Sequence, residues 1–455
     1  MSTASAAGPS SDETANDLAK HARSAMQRKD WPAALAYWDK ALAALPSPRD
    51  NWKVSRADVL HALRRYREAE NELSDIANAQ PDNPRVLFRL VRSIIGACRS
   101  ESNYEQRRSE LLRYLDREPF RDLEEDGPFH KVAFLTLLGE VSLARPELVR
   151  NVKQADTLKK CEMCFDAIPV LIERGDRAHL WLDLLSSVRG LPGEADSGRT
   201  AVIELRLLVA LERFDEFMQR YDVLHDQIKD DRYRLIFGAV RRRVELPRLE
   251  VFNEPKVFGI GLAKTATSSL SDALTLLGID NGHWTNPLTN QILSDVDFFM
   301  LGGACDTSAS QNFEKLFYQY PNARFILTQR RLDDWVRSMT DHYAINTGRT
   351  DIEGMRQRIG RSTEWRHGFE SVAIHAGLYL HHDGLEQAYA AHERRVRNFF
   401  LDKPSGRLLE FNVFEGDGWP KLCEFLERPL PETGFPWKNR RARDSGPGEP
   451  SSGSA

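Results

Sequence analysis

The sequence predicts a two-part protein: an all-helical N-terminal region and, after it, an α/β domain with a central parallel sheet. Residues 14–245 carry apolar residues at helical spacing, as in VIELRLLVALERFDEFMQRYDVL, a pattern typical of amphipathic helices. After a linker at 246–256 with two prolines, apolar runs typical of strands alternate with helical patterns through 257–440. This alternation indicates a parallel sheet covered by helices. The ends, 1–13 and 441–455, are rich in small polar residues and are predicted to be disordered.

The bulk composition excludes several classes of protein. With 455 residues, 41% hydrophobic and 29% charged, each region is long enough to bury its own core. A net charge of −4 gives no electrostatic footprint for nucleic acid. The apolar runs are too short to cross a bilayer, and five cysteines, an odd number, favour a reducing compartment. We therefore expect a cytoplasmic protein without a membrane span or a nucleic-acid partner.

The helical region begins with an internal repeat of 35 positions. The first copy supplies two aromatic residues, two small residues and a closing proline: Trp31, Ala34, Trp38, Ala41 and Pro46. The second copy has their counterparts: Tyr66, Ala69, Leu73, Ile76 and Pro81. The period and the pattern resemble tetratricopeptide repeats, which implies a solenoid of stacked helix pairs. Such a solenoid has a concave groove, where we expect a protein partner or an acceptor to bind.

The α/β domain opens on Val257–Leu270, VFGIGLAKTATSSL, which has the order of a strand, a phosphate-binding loop and a helix. Backbone N–H groups at a helix N-terminus, with a lysine and hydroxyl groups, form a site for an anion. A helical cap over this site is expected at 340–385. The strands of the sheet are predicted at Lys256–Ile260, Asp297–Leu301, Arg324–Thr328 and Arg407–Asn412.

The loop does not match the nucleotide-binding loop of P-loop kinases and nucleotide triphosphatases. Ala263 precedes Lys264 where that motif needs glycine, and Phe258 stands at its first glycine. The strand RFILT is followed by Gln329, Arg330 and Arg331 instead of a magnesium-binding aspartate. A second anion, and no metal, is therefore expected beside this strand.

Two segments in this order resemble the sulfotransferase family. GLAKTATSSL is similar to the loop that binds the 5′-phosphosulfate group, and RFILTQRRLDDWVRSM is similar to the segment that binds the 3′-phosphate. RLLEFNVFEGDGWPKLCEFLERPLP and the following GFPWKN look like the closing strand, helix and turn of bacterial-type members. The resemblance covers 256–440 and implies a three-layer, P-loop-like domain.

The resemblance implies transfer of a sulfuryl group from 3′-phosphoadenosine-5′-phosphosulfate (PAPS) to an acceptor hydroxyl or amine, without a metal. Lys264 would stabilise the charge on the leaving 5′-phosphate. Arg330 and Ser338 would hold the 3′-phosphate. The remaining donor-binding positions lie in the loop: Thr265, Ala266, Thr267 and Ser268.

Two residues are candidates for the general base that takes the acceptor's proton. Asp306 lies 24 positions before Arg330, near the place where bacterial-type relatives often have aspartate. His283 lies soon after the loop helix, nearer the place of a catalytic glutamate in carbohydrate sulfotransferases. On these positions Asp306 is preferred over His283.

Ala266 departs from the family pattern, which has glycine there. If the position requires a positive φ, alanine costs about 1 kcal/mol. This departure keeps open an alternative function, a tetratricopeptide-like scaffold whose sulfotransferase domain is inactive. The acceptor itself is left open among a carbohydrate, a lipid, a small molecule and a peptide.

Overall fold

The chain divides into two compact units, Met1–Glu140 and Val141–Ala455. The helices after position 140 therefore belong to the same unit as the sheet. The domain boundaries predicted at 245 and 257 remain predictions. The computed structural model describes residues 11–101, 104–116, 127–138, 140–172, 174–191, 197–347, 351–356 and 368–437.

The first unit is helical in the part that the structure describes. The helices that begin at Trp31 and Tyr66 are offset by the 35 positions of the repeat, and each buries the alanine three residues later, Ala34 and Ala69. These helices fit the predicted solenoid; their tetratricopeptide assignment remains a prediction. The helices of this unit are Ser11–Gln27, Trp31–Ala43, Asp50–Ala62, Tyr66–Ala79, Pro84–Glu101, Tyr104–Leu115 and Gly127–Leu138.

The second unit begins with a further series of helices. The last of them, Arg248–Phe252, lies inside the predicted linker. Cys161 and Cys164 lie on one of these helices, both buried and both free thiols. The helices are Val141–Lys153, Leu158–Leu171, Arg177–Arg189, Ser197–Ala210, Phe214–Leu224, Asp231–Glu245 and Arg248–Phe252.

A parallel sheet of five strands forms the centre of the second unit, as predicted. The strands are β1 Val257–Gly259, β2 Asn281–His283, β3 Gly303–Cys305, β4 Arg324–Thr328 and β5 Leu408–Phe411. Their spatial order is β2-β3-β1-β4-β5, and every neighbouring pair is parallel. The helices that alternate with them are Thr267–Leu276, Asp295–Met300, Thr307–Gln319, Leu332–Thr347, Gly368–His375, Leu385–Phe400 and Trp419–Leu426, with a π-helix at Ala376–Leu380.

Helices cover both faces of the sheet. Successive strand residues point to opposite sides, so each strand contributes side chains to both faces. On one face Val257 and Ile326 pack against the helices Thr267–Leu276 and Trp419–Leu426. On the other, Phe325 meets Phe317 and Phe400 at ring-centroid distances of 6.0 and 5.3 Å. Those rings come from the helices Thr307–Gln319 and Leu385–Phe400. The result is the predicted three-layer arrangement.

One predicted strand is wrong and another was missed. Residues 297–301 do not form a strand, because Ser294 and Asp297 make a capping box that starts the helix Asp295–Met300. Strand β3 begins at Gly303, two intervening residues after the end of that helix. The missed strand is β2, Asn281–His283, whose sequence Asn-Gly-His contains no residue that favours strands.

The structure describes only some residues of the chain ends and of the predicted cap. Residues 1–10 of the predicted lead-in and all of the predicted tail at 441–455 lie outside the described residues, and the first helix begins at Ser11. The described parts of 340–385 are mainly helical. Among the described residues, no helix combines the length and the apolar character needed to cross a membrane.

Candidate active site

The loop after β1 follows a path that only a glycine permits at its start. A Cβ at Gly261 would lie 2.0 Å from Oγ1 of Thr328 and 2.4 Å from its carbonyl oxygen. Thr265 donates a hydrogen bond of 2.7 Å to the Leu262 carbonyl, and its Oγ1 lies 2.6 Å from Oγ1 of Thr328. The loop is therefore fixed against the end of β4, the strand that leads to Arg330.

Two aromatic side chains hold Ala263, the residue before Lys264. The Ala263 N–H donates to the Tyr379 hydroxyl at 3.2 Å, and the Trp335 indole N–H donates to the Ala263 carbonyl at 2.8 Å. Both rings are buried. The conformation of the loop is thus set from outside, by the helix that follows β4 and by the cap.

Lys264 and Ala266 both adopt the left-handed backbone conformation, each with φ of 72°. Ala266 is the N-cap of the helix Thr267–Leu276, and its methyl group caps none of the first N–H groups. Those groups have no partner within the helix itself. Such N–H groups and the helix dipole favour a bound anion, and the anion site at this loop remains a prediction. Asp306 and Trp284 also have positive φ, 79° and 62°, and residues held in such conformations cluster at functional sites.

Replacing Ala266 with glycine should stabilise the protein. The left-handed conformation is strained for alanine and free of strain for glycine, so Ala266→Gly should raise the free energy of unfolding by about 0.5–1 kcal/mol. Urea unfolding measures this change. Ala273→Gly is the matched control, because Ala273 lies buried inside the same helix and should lose about 1 kcal/mol or more. Equal losses in the two variants would contradict the strain at position 266.

The structure brings both candidate bases to the N-terminus of the loop helix. Nε2 of His283 lies 3.1 Å from Oδ2 of Asp306. The same nitrogen lies 3.1 Å from the hydroxyl oxygens of Thr267 and Ser268. Thr267 also donates to Oδ2 of Asp306 at 3.2 Å. The two candidates thus form one network with two residues of the loop.

Within this network Asp306 is the hydrogen-bond acceptor. Burial by itself would raise the pKa of its carboxyl, but the charge and hydrogen bond of His283 act against burial, together with hydrogen bonds from the Thr307 N–H and the Thr267 hydroxyl. The result is a pKa below the ordinary value. The Thr307 N–H bond, 2.7 Å to Oδ1, also makes Asp306 the N-cap of the helix Thr307–Gln319. A carboxylate held in this way is a weak proton acceptor and orients its histidine. On this geometry we infer that His283 is the stronger candidate for the base, and the choice between the two residues remains a prediction.

Arg330 lies beside the loop, directly after β4 and Gln329. Its Nη1 donates to the carbonyl oxygen of Lys264 at 3.3 Å, and its guanidinium lies 4.3 Å from the ring centroid of Phe414. Tyr389 fixes the backbone there, since its hydroxyl accepts from the Arg330 N–H and donates to the Arg330 carbonyl. Ser338 is buried on the helix Leu332–Thr347, which Trp335 anchors to the loop. The predicted anion-binding residues therefore share one end of the sheet, at the carboxyl ends of β1 and β4.

Sequence reasoning missed the residues that hold this site together, chiefly Thr328, Trp335, Tyr379 and Tyr389. The hydrogen bonds of Trp335 and Tyr379 reach Ala263 from 72 and 116 positions away. No local pattern reports such a pairing. Over the described residues, no cluster of three or more metal-binding side chains is found.

Comparison with known proteins identifies a family for the part of the chain that contains this site. Residues 256–443 match the family model for the sulfotransferase domain. The chain is also similar to the Ava biosynthesis cluster protein M of Aspergillus versicolor, with 26% identity over 217 residues that cover 40% of this chain and 79% of the relative. The match begins one residue before β1 and contains every candidate site residue named above. The C-terminal segment of this chain, residues 256–443, is a domain of the sulfotransferase family.

Proposed function

We propose that this protein is a PAPS-dependent sulfotransferase that transfers a sulfuryl group to an acceptor hydroxyl or amine. The observation that carries the proposal is the convergence of Lys264, Arg330 and the His283–Asp306 pair at one end of the sheet, around the N-terminus of the helix Thr267–Leu276. One anion-binding loop alone is common to many phosphate enzymes. A second cationic site and a hydrogen-bonded base beside it are what transfer from a doubly phosphorylated donor requires.

Each residue has a part in the proposed reaction. Lys264 and the first N–H groups of the loop helix stabilise the negative charge that grows on the 5′-phosphate as the sulfur–oxygen bond breaks. The hydroxyl groups of Thr265, Thr267 and Ser268 complete the loop, although Thr265 mainly supports its fold. Arg330 and Ser338 bind the 3′-phosphate, which fixes the direction of the donor.

His283 takes the proton of the acceptor as its oxygen or nitrogen attacks sulfur. Because Asp306 is held as an anion, it accepts the proton on Nε2 and leaves Nδ1 as the nitrogen able to act as base. The products are the sulfated acceptor and 3′-phosphoadenosine 5′-phosphate. Lys264 and the helix N-terminus meet the charge on the leaving phosphate, so the mechanism assigns no step to a metal.

The helical part of the chain completes the proposal. We assign it a role in partner or acceptor recognition, with the acceptor left among the carbohydrate, lipid, small-molecule and peptide classes. Its repeats support this role, because stacked helix pairs form extended concave surfaces. All five cysteines are buried free thiols, which supports the cytoplasm as the location.

Calorimetry with 3′-phosphoadenosine 5′-phosphate tests the proposal directly. We expect the wild-type protein to bind it equally well with EDTA and with magnesium. Arg330→Ala should weaken binding roughly 10- to 100-fold, the worth of a charged hydrogen-bonding group. Arg331→Ala is the matched control, because it removes the same charge from the exposed neighbouring position and should change the affinity little.

Three outcomes would contradict the proposal. An absence of binding by the wild-type protein would favour the inactive scaffold. Binding that depends on magnesium and prefers ATP would favour a kinase. Equal losses in the two arginine variants would mean that net charge, and not the Arg330 site, attracts the ligand.

A further inference from the structure

A cluster of four ionisable residues lies at the opposite end of the sheet from the candidate site, where the strands begin. We call it the basal cluster: Arg243, Glu254, Lys256 and Asp280. Arg243 comes from the helix Asp231–Glu245, outside the family match, and only 4% of its surface is exposed. Its Nη1 and Nη2 donate to the two carboxyl oxygens of Asp280 at 2.6 and 3.2 Å. This two-pronged pairing fixes the orientation of both groups.

The basal cluster connects the starts of β2 and β3. Asp280 directly precedes β2, and its Oδ2 accepts the N–H of Gly302, which directly precedes β3, at 2.8 Å. A Cβ at Gly302 would lie 2.5 Å from Oδ1 of Asp280 and 3.0 Å from Nη2 of Arg243. The two strands therefore begin against one ion pair, without room for a side chain between them.

The same cluster holds the backbone that leads into β3. The Arg243 Nη1 also donates to the Met300 carbonyl at 3.0 Å. Nζ of Lys256, fully buried and with its pKa lowered by burial to about 7, donates to the carbonyls of Phe299 and Leu301 at 2.9 and 2.5 Å. Arg243 and Lys256 thus bind three consecutive carbonyl groups at the end of the helix Asp295–Met300, where the last carbonyls have no partner within the helix.

The positions of His283 and Asp306 follow from this arrangement. β2 and β3 have three residues each, and His283 is the last residue of β2, paired in register with Cys305. Asp306 is the next residue after Cys305. A slip of one residue between these strands would turn the side chains to opposite faces. The contact between His283 and Asp306 therefore depends on the register that Arg243 and Asp280 set, roughly 10 Å away along β2.

The loop after His283 is also held by an arginine from the helical region. Arg206, 8% exposed and packed 4.5 Å from the ring centroid of Phe165, donates to the Leu288 carbonyl at 2.7 Å. Arg177 donates to the side chain of Gln291 in the same loop at 2.7 Å. His283 is therefore constrained before its strand by Arg243 and after it by Arg206.

We propose that the helical segment 141–252 contributes to catalysis by positioning the candidate base. Its residues Arg243 and Arg206 are positioning residues that hold His283 against Asp306. The inference rests on the proposed function for its catalytic consequence. The structural part, that these arginines fix the His283–Asp306 contact, stands separately. Neither arginine touches the reacting groups.

Two conservative variants of the full chain, Arg243→Lys and Arg206→Lys, test the proposal. Lysine keeps the charge and removes the two-pronged or directed hydrogen bonds. Arg220→Lys is the matched control, because Arg220 makes the same kind of pair with Glu204 wholly within the helical segment. The first readout is the nitrogen NMR spectrum of labelled histidine, with the His283 signal identified by its loss in His283→Gln. The second is turnover of PAPS and affinity for 3′-phosphoadenosine 5′-phosphate.

We expect a single His283 ring state with the proton on Nε2 in the wild-type protein and in Arg220→Lys. In Arg243→Lys and Arg206→Lys we expect mixed or broadened ring states, and turnover lower by roughly 10²-fold, since a small displacement of a base is that costly. Affinity for the nucleotide should not change. The KM for PAPS should therefore move much less than kcat.

Wild-type His283 spectra in both variants would overturn the inference, whatever the turnover. If Arg243→Lys fails to fold, the test depends on Arg206→Lys alone. An unchanged His283 spectrum in Arg206→Lys would then overturn the inference. If the wild-type protein binds no nucleotide, the proposed function fails while the spectra still judge the inference. The two failures are thus distinguishable.

Discussion

Lys264→Ala is expected to lower kcat for sulfuryl transfer by roughly 10²–10³-fold, the cost of removing one fixed donor from a developing negative charge. The ammonium acts on charge that appears as the bond to the leaving phosphate breaks. Its loss should therefore affect the transition state more than the bound donor. Affinity for 3′-phosphoadenosine 5′-phosphate should also fall, by roughly tenfold or more, because the 5′-phosphate of the product carries the full charge of the leaving group.

Alanine is the right replacement because it leaves the backbone cost unchanged. Lys264 has φ of 72°, and lysine and alanine both carry a Cβ that is strained there, so the variant isolates the side chain. Lys315→Ala is the matched control, since it removes a half-exposed lysine paired with Asp295. An exposed pair of this kind contributes about 0–1 kcal/mol to stability.

The measurement is release of 3′-phosphoadenosine 5′-phosphate from PAPS with panels of phenols, sugars, amines and peptides as acceptors. The panel is needed because the specificity of the acceptor side is not encoded in the anion loop. Near wild-type turnover in Lys264→Ala would remove this lysine from the mechanism. An equal loss in Lys315→Ala would point to a general effect of charge.

The parts of the site that sequence could predict are those built from contiguous residues. The loop, the helix it caps and Arg330 after β4 each carry their chemistry within a few positions, so their order along the chain is enough to place them at one edge of a parallel sheet. The glycine of the family pattern left a positive φ at Ala266 as a condition, and the structure has a φ of 72° there. The donor-binding side of the candidate site is thus nearly complete in the sequence.

The parts that sequence could not predict depend on distant pairs. β2 has no strand-forming residues, and its three-residue length is supported by pairing with β3 and by Asp280. The helix Asp295–Met300 forms in place of the predicted strand, because a capping box stabilises its start. Arg243 looks in sequence like one of three consecutive surface arginines, yet it is buried against Asp280. Burial of a charge depends on a partner that only the fold supplies.

The choice between His283 and Asp306 shows the same limit. Position in the chain favoured Asp306 over His283 as the base. Such a comparison of positions contains no information about what surrounds each side chain. In the structure the Asp306 carboxylate already accepts hydrogen bonds from His283, Thr267 and the Thr307 N–H. A base must have a free lone pair and a pKa near the working pH, and these bonds lower the pKa of Asp306.

His283→Gln is accordingly expected to lower kcat by roughly 10²–10⁴-fold, the usual contribution of a positioned general base, while affinity for 3′-phosphoadenosine 5′-phosphate is retained. Asp306→Asn should also lower kcat, because the amide no longer requires the proton on Nε2. Asparagine suits this position in two other respects. It caps helices as well as aspartate does and tolerates positive φ, so the helix Thr307–Gln319 should keep its start.

The double variant His283→Gln/Asp306→Asn separates the two roles. If Asp306 acts through His283, the double variant should be no slower than His283→Gln, because the orienting group has nothing left to orient. If Asp306 is itself the base, Asp306→Asn alone should abolish turnover while His283→Gln keeps most of it. Independent, multiplying losses would contradict the pair as a unit and return both residues to separate roles. The nucleotide affinity measured on each variant guards against a trivial loss of the fold, since the anion loop lies directly against this network through Thr267 and Ser268.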